Sequence, residues 1–571
     1  MRKLNSMGII TAVMPIQHPQ STSQSQSQSQ SLPQTQTQTQ PLDHLDAPQL
    51  RELVASLMGT LTRQNASLAT QRAQLAARDR EIAFKQAVID KITHEMAVLK
   101  RLKFAAKSEH YNAEQKSLLE ETIDADIAAL EQELAQLVPV ASTAPEARAP
   151  KRQPLPAHLP RTAFHHEPHS TICGCGCQLM RIGEDVAEKL DYVPGVFTVE
   201  RHIRGKWVCK QCETLVQAPV AAHIIDKGIP TTGLLAQVLV AKYADHLPLY
   251  RQEAIFGRAG MSLPRSTLAQ WVGACGVQLQ PLVDALKAEM LTHAVLHADE
   301  TPVAMLKPAD KRDGKTHRAY LWSYCTTRFA ATRAVIFDFA DSRAGQHARD
   351  FLGVHADPGD QAHQRWRGSL VCDDFSGYKT MFELGVTEAG CLAHARRKFY
   401  DLWASQQSPV AEEALKFFGR LYDVERALQE LPPDERRQIR QAQAKPVAEL
   451  MHAWLHAQRL RVPDGSATAK AINYSLKRWE ALTRYLGDGD LPCDNNWVEN
   501  QIRPIALGRA NWLFAGSLRA GKRAAAVMSL IHSAKLNGHD PYAYLKDVLT
   551  RLPTQPASRI DELLPHLWKT T

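Results

Sequence analysis

Between residues 45 and 137 the apolar positions fall at helical spacing. Val54, Leu61, Leu68, Leu75, Ile82, Ile89 and Met96 recur every seven residues. The complementary heptad position is polar at Gln64, Gln71, Arg78 and Lys85, and turns apolar only at Ile92 and Leu99. Two apolar positions per heptad make a strong two-stranded seam, whereas one makes a weak seam or a stripe that docks elsewhere. The pattern predicts a helical, coiled-coil region over 45–137, with dimerisation favoured over docking. A second run, Leu119, Ile123, Ile127, Leu130, Leu134 and Leu137, ends at Pro139.

Residues 228–290 also read as helical. Within them YRQEAIFGRAGMSLPRSTLAQWVG predicts a helix, a turn at Gly260 and a second helix after Ser262 or Pro264. This pattern is compatible with a helix-turn-helix whose second helix enters a major groove, and equally with any αα-hairpin. From residue 294 the period changes. AVLHADETPV, RAYLWSYCTT and RAVIFDFADS predict three successive strands, GSLVCDDFSGY a fourth, and GVTEAGCLAHARRKFYDLW a short strand running into a helix. Residues 400–486 are helical, and a last helix is expected near Glu499. The order predicts a multidomain α/β protein with a helical insertion in its core over 291–515, followed by a C-terminal helical region over 516–571.

Composition sharpens the boundaries. The 571 residues suffice for several domains, and 44% hydrophobic content is that of a folded chain. The tract over 22–40, SQSQSQSQ and TQTQTQ, has nothing apolar to bury, so residues 1–44 are expected to be disordered. Residues 138–165 are rich in Pro, Ala and basic side chains and read as a linker. No apolar run reaches the length of a membrane span, and the short MGIITAVMPI segment is not followed by a cleavage site. These features predict a cytoplasmic protein with no membrane partner. A net charge of +8 permits a polyanionic partner without requiring one.

Five of the ten cysteines cluster: Cys173, Cys175 and Cys177 in CGCGC, and Cys209 and Cys212 in CKQC. Two thiolate knuckles with strands between them are the layout of a zinc ribbon, so 166–220 is expected to bind structural Zn²⁺. The second knuckle is a regular CxxC. The first is not, and two of its three cysteines are expected to be ligands.

Three acidic groups sit where elements end: Asp299-Glu300, Asp373-Asp374, and Asp494 through Glu499. Carboxylates at strand ends can converge above a sheet without entering its core. Their oxygens suit Mg²⁺ or Mn²⁺, and two such ions serve phosphoryl transfer. Spacing does not choose between Asp299 and Glu300, or between Asp373 and Asp374. Arg503 lies one helical turn beyond Glu499 and can face the same site. A glycosidase built on paired carboxylates would need a sugar cleft, and nothing in this basic, cysteine-bearing chain calls for one.

The blocks LHADETPV, VCDDFSGYK, CLAHARRKF and DNNWVENQIRPIALGRANWLFAGS resemble the signature blocks of bacterial DDE transposases of the insertion-sequence-66 family. The resemblance runs from about residue 90 to the C-terminus. It implies an RNase H-like core, a catalytic and Mg²⁺-binding triad of Asp299, Asp373 and Glu499, and DNA contacts along Arg503, Arg509, Trp512, Arg519, Lys522 and Arg523. It implies zinc ligation by Cys175, Cys177, Cys209 and Cys212, with Cys173 as the alternative to Cys177. Cys391 and His394 match a cysteine/histidine pair of this and related families and are left out of the zinc site. The implied partners are the terminal inverted repeats, target DNA, at least a second copy of the chain, and accessory proteins of the same element. The implied place of work is the bacterial nucleoid. The alternative is a DNA-binding relic without catalysis.

Overall fold

The computed structural model describes residues 47–105, 113–137, 154–193, 195–226, 228–307, 316–355 and 366–569. The Gln/Ser/Thr tract, and the basic linker as far as residue 153, lie outside them. Contacts divide the chain after Ala83. In the first unit, helix α1 (Ala47–Ala105) leaves Val54, Leu61, Leu68, Leu75 and Ile82 exposed, so among the described residues the heptad stripe has no partner there. In the second unit the same helix buries Ile92.

In that second unit α2 (Ala113–Leu137) buries Leu119, Ile123 and Leu130. A small four-stranded sheet follows: β1 (Arg161–His166), β2 (Leu179–Val193), β3 (Val196–Cys209) and β4 (Leu215–Gln217). Its centre is the long β2–β3 hairpin, which runs from Val193↔Val196 out to Leu179↔Cys209. Then come α3 (Thr232–Tyr243), α4 (Leu249–Arg258) and α5 (Arg265–Met290). Gly260, at φ +83°, makes the turn between α4 and α5.

The αα-hairpin therefore forms, but its second helix is not free to read DNA. Between Arg265 and Gly276 the one exposed residue of α5 is Gln270. Gly273 lets the α2 backbone approach, since a Cβ there would lie 2.3 Å from the Ala125 carbonyl. A groove-entering helix needs an open face, and α5 is instead core.

The larger sheet holds β5 (Val295–Leu306), β6 (Thr316–Thr326), β7 (Val335–Ala340), β8 (Ser369–Cys372) and β9 (Thr387–Gly390), in the order β7-β6-β5-β8-β9. The first three pair antiparallel, and β8 and β9 join parallel. Strand β7 is an edge, and the helix over Leu518–Leu536 covers it: the Ser529 and Ser533 hydroxyls accept from the Phe337 and Val335 amides at 2.8 and 3.0 Å. Short helices α6 (Gly345–Leu352) and α7 (Lys379–Glu383) flank β8.

The helical insertion comprises α8 (Leu392–Gln406), α9 (Pro409–Ala427), α10 (Pro433–Ile439), α11 (Lys445–Arg459), α12 (Ala467–Lys477) and α13 (Trp479–Thr483). It has its own core of Phe399, Phe418, Met451, Leu455, Ile472 and Leu482, which continues onto Val371 and Ala389 of the sheet. The chain then returns through α14 (Asn496–Gly508), α15 (Leu518–Leu536) and α16 (Pro541–Arg551).

Arg440, fully buried, fixes that return. Its guanidinium pairs with Glu425 at 2.8 and 2.7 Å and donates to the carbonyls of Tyr485, Asp488 and Leu491. The insertion is thereby tied to the segment that leads into α14. Arg440→Leu is expected to destabilise the fold by about 3–5 kcal/mol, because Glu425 is left recessed without a counter-charge. Chemical denaturation of the variant checks this.

Candidate active site and metal centre

Strands β5 and β8 run parallel with His297 opposite Val371. Asp299 stands two residues further along β5, in mid-strand and not at the strand end expected, and Asp373 directly follows Cys372, the last residue of β8. The two acidic residues thus lie on, and just past, adjacent parallel strands, which run about 4.8 Å apart. Asp299 is recessed, and its carboxyl is held well above the usual range, first by burial and then by the charges of Glu300, Glu499 and Asp373. The Asp373 carboxylate accepts the Phe375 amide at 3.0 Å, closing the turn after β8.

Their sequence neighbours have other work. Glu300 accepts from Arg343 at 2.8 Å and from the Tyr378 hydroxyl at 2.7 Å. Asp374 pairs with Lys379 at 2.9 Å and Arg478 at 3.0 Å. Each acidic doublet thus has one member neutralised by local cations or hydroxyl donors and one, Asp299 or Asp373, without a paired cation among the described residues. Arg343, Tyr378, Lys379 and Arg478 were not foreseen from the sequence, where nothing marks them as partners of these doublets.

Glu499 occupies the first turn of α14. Asn495, fully buried, holds that helix to β5: its Oδ1 meets His297 Nδ1 at 2.8 Å and its Nδ2 donates to the Ala298 carbonyl at 2.9 Å. The Trp497 indole donates to the Thr326 carbonyl at 3.0 Å, a second tie, to β6. The Asn495 side chain thus sets where Glu499 stands relative to Asp299. Asn495→Ala leaves two buried groups unpaired and is expected to cost about 2–4 kcal/mol. A lowered thermal midpoint with the fold retained is the outcome to look for.

The segment after Glu499 is less open than its composition suggests. Arg503 and Lys522 are exposed. Arg509 donates to Thr301 Oγ1 at 3.2 Å and to the Pro302 carbonyl, bracing β5. Trp512 is half-buried and packs on the main core. Arg519 pairs with Glu95 of α1 and Glu133 of α2. Arg523 is a correction: it is buried against Asp126 at 3.0 Å, with Gly276 making room for its stem, and cannot reach DNA.

At the far end of the β2–β3 hairpin four thiols gather: Cys173, Cys175, Cys209 and Cys212. Sulfur separations are 3.2 Å for Cys173–Cys212 and 3.7 Å for both Cys175–Cys209 and Cys175–Cys212. Tetrahedral zinc with bonds of about 2.3 Å asks for sulfurs about 3.8 Å apart, so the set fits. The preference for Cys177 over Cys173 is corrected. The Cys177 thiol points to Gln211 Oε1 at 2.7 Å, because the turn at Gly176 (φ +84°) carries it away from the group. Hydrogen bonding from Thr214, then from Cys173, holds the Cys212 thiol down to about 6, so it is ready to ligate at neutral pH.

These two sites meet known proteins as follows. Residues 227–523 match the Transposase IS66 family, 170–213 the zinc-finger binding domain of transposase IS66, 529–566 the IS66 C-terminal element, and 91–163 Transposase C of IS166 homeodomain. Three similar proteins come from Sinorhizobium fredii (strain NBRC 101917 / NGR234). Uncharacterized protein y4qI is 36% identical over 531 residues, covering 88% of this chain and 94% of its own. Uncharacterized protein y4jD is 37% identical, covering 73% and 81%, and uncharacterized protein y4hP is 36% identical, covering 74% and 78%. No solved structure gave a significant match. The chain belongs to the IS66 family of transposases. Membership supports DNA transposition as its function and DNA as its partner. The four-cysteine group, inside the matched zinc-finger region, is of the kind that holds structural zinc. Among the described residues no helix is long and apolar enough to cross a membrane.

Proposed function

We propose that the chain binds the terminal inverted repeats of its element and catalyses metal-dependent strand cleavage and strand transfer in an RNase H-like core. The carrying observation is Asp299 on β5 beside Asp373, which directly follows the parallel neighbour β8, with both Asp373 and Glu499 close enough for their charges to act on Asp299 and with Asn495 tying the Glu499 helix to β5. The sheet order, three antiparallel strands and then two parallel ones, supports the core assignment.

Asp299, Asp373 and Glu499 are the residues that would hold Mg²⁺ or Mn²⁺. When bound, such ions activate the attacking oxygen and stabilise the leaving one. The protein's own part is positioning. Glu300 with Arg343 and Tyr378 braces the middle of β5, and Asp374 with Lys379 and Arg478 braces the turn after β8. Arg503 and Lys522 offer exposed positive charge to the DNA backbone. Water breaks a phosphodiester at the element's end and leaves a 3′-hydroxyl. That hydroxyl attacks a target phosphodiester, making one P–O bond and breaking another. No covalent protein–DNA intermediate is needed.

Reading of the repeats is assigned to the zinc domain. The exposed α1 stripe is a surface for a second copy, as cutting two ends together would use. Work on chromosomal DNA places the protein at the bacterial nucleoid. The relic reading is disfavoured because all three acidic positions are present.

The test is incubation of the protein with Mg²⁺ and a duplex carrying the terminal repeat, with and without the element's accessory proteins. Cleaved and joined products are expected. Binding to the repeat with neither product, accessory proteins included, would favour the relic.

A further inference from the structure

The geometry points to a second zinc site, made by Cys391, His394 and Glu499, that shares Glu499 with the acidic site. Cys391 caps the N-terminus of α8 and His394 stands three residues on, so both side chains lie on one face of its first turn. Glu499 comes to them from the first turn of α14. One ligand atom from each residue lies within 4.8 Å of the others.

Two further observations point into this space. His394 Nδ1 and Glu499 Oε1 are buried atoms without a hydrogen-bond partner. They stand 3.8 Å apart, too far for a hydrogen bond to each other and the right order for two ligands of one ion. Burial pushes the Cys391 thiol up to about 12, and the Asn495 amide, donating to its sulfur at 3.1 Å, works against that, so a bound metal would have to displace the thiol proton. Thiolate, imidazole and carboxylate together select zinc over Mg²⁺, which prefers oxygen ligands in octahedral array. Three protein ligands leave a fourth position open.

Glu499 then has two employments. A Glu499 oxygen engaged with zinc beside His394 is withdrawn from Asp299 and Asp373, so zinc at this site opposes the Mg²⁺-dependent reaction. That consequence, unlike the site itself, rests on the catalytic reading of Glu499 above.

The experiment counts zinc per chain after dialysis of the full-length protein against Zn²⁺. Wild type is expected to hold an extra equivalent beyond that of the four-cysteine group. Cys391→Ser and His394→Ala should each lose the extra equivalent, while Cys212→Ser loses the other and Asp299→Asn loses neither. If buried Cys391→Ser fails to fold, half-exposed His394→Ala, checked by thermal melting, carries the count. A wild type whose bound zinc is all removed by Cys212→Ser, or a His394→Ala protein with undiminished zinc, overturns the site. The count decides this whether or not the protein cleaves DNA. In the cleavage assay, half-inhibition of His394→Ala should need more than about tenfold more zinc than wild type. Equal inhibition overturns the opposition between the two metals.

Discussion

Asp373→Asn is expected to lower cleavage and joining of transposon ends by on the order of 10³-fold or more, with binding of the repeat retained. Its neighbour supplies the contrast. Asp374 is bound to Lys379 and Arg478, and Arg478 keeps a second partner in Glu388 at 2.7 Å. Asp374→Asn therefore removes one charge, and with it two ion pairs, from a network in which Lys379 and Arg478 both keep Glu388, and should cost about 1 kcal/mol of stability, with activity lowered far less. The same split is expected between Asp299→Asn, which removes the recessed carboxylate, and Glu300→Gln, which loosens the Arg343 and Tyr378 contacts. Parallel assays of cleavage, repeat binding and thermal midpoint separate the two kinds of loss. An Asp373→Asn protein that cuts and joins like wild type would sink the assignment.

Asp299-Glu300 lies in the middle of β5, which runs on to Leu306, and not at the strand end expected; Asp373-Asp374 follows the end of β8 directly, and the strand segments themselves were legible from period and apolar content. Which member of each doublet is unpaired was not. That depends on Arg343, Lys379 and Arg478, cations brought in by other elements, and on no local property of Asp-Glu or Asp-Asp. The α4–α5 hairpin was legible as a hairpin, but the burial of α5 was not, because it depends on where Gly273 and Gly276 admit α2 and Arg523. The basic segment after Glu499 misled for a related reason. Composition counts charges, and tertiary structure decides that Arg523 belongs to Asp126 and Arg519 to Glu95 and Glu133. At the cysteine group the identity of the fourth ligand turned on one left-handed glycine between Cys175 and Cys177.

Removing zinc from the four-cysteine group should open the outer half of the β2–β3 hairpin while the rest of the fold persists. The reason lies in how unevenly the hairpin is covered. Near its turn, Leu190, Tyr192, Phe197 and Val199 are buried in the main core, and Tyr192 and Phe197 meet Phe256 edge-to-face. Toward the cysteines, Ile172, Met180, Ile182 and Val186 are exposed. So little apolar burial cannot hold the outer strands and the loop of 170–178, and the metal supplies the difference. Structural zinc of this kind contributes about 10–16 kcal/mol of apparent binding energy near neutral pH, which becomes folding energy where the apo site is not preformed. Chelation, or Cys212→Ser, is therefore expected to expose residues 170–213 to protease while leaving the main thermal transition in place. Reloading has a pH dependence of defined sign. The Cys212 thiol is depressed to about 6, so it is a thiolate above that pH and is protonated below it. The Cys173 thiol is pushed up to about 11 and the Cys175 thiol is also raised, so zinc must displace their protons and uptake by stripped protein should slow steadily as pH falls. Binding of the terminal repeat should fall with zinc content and recover on reloading. Protease resistance of 170–213 that is unchanged by chelation would show that the strands, and not the metal, hold this end of the hairpin.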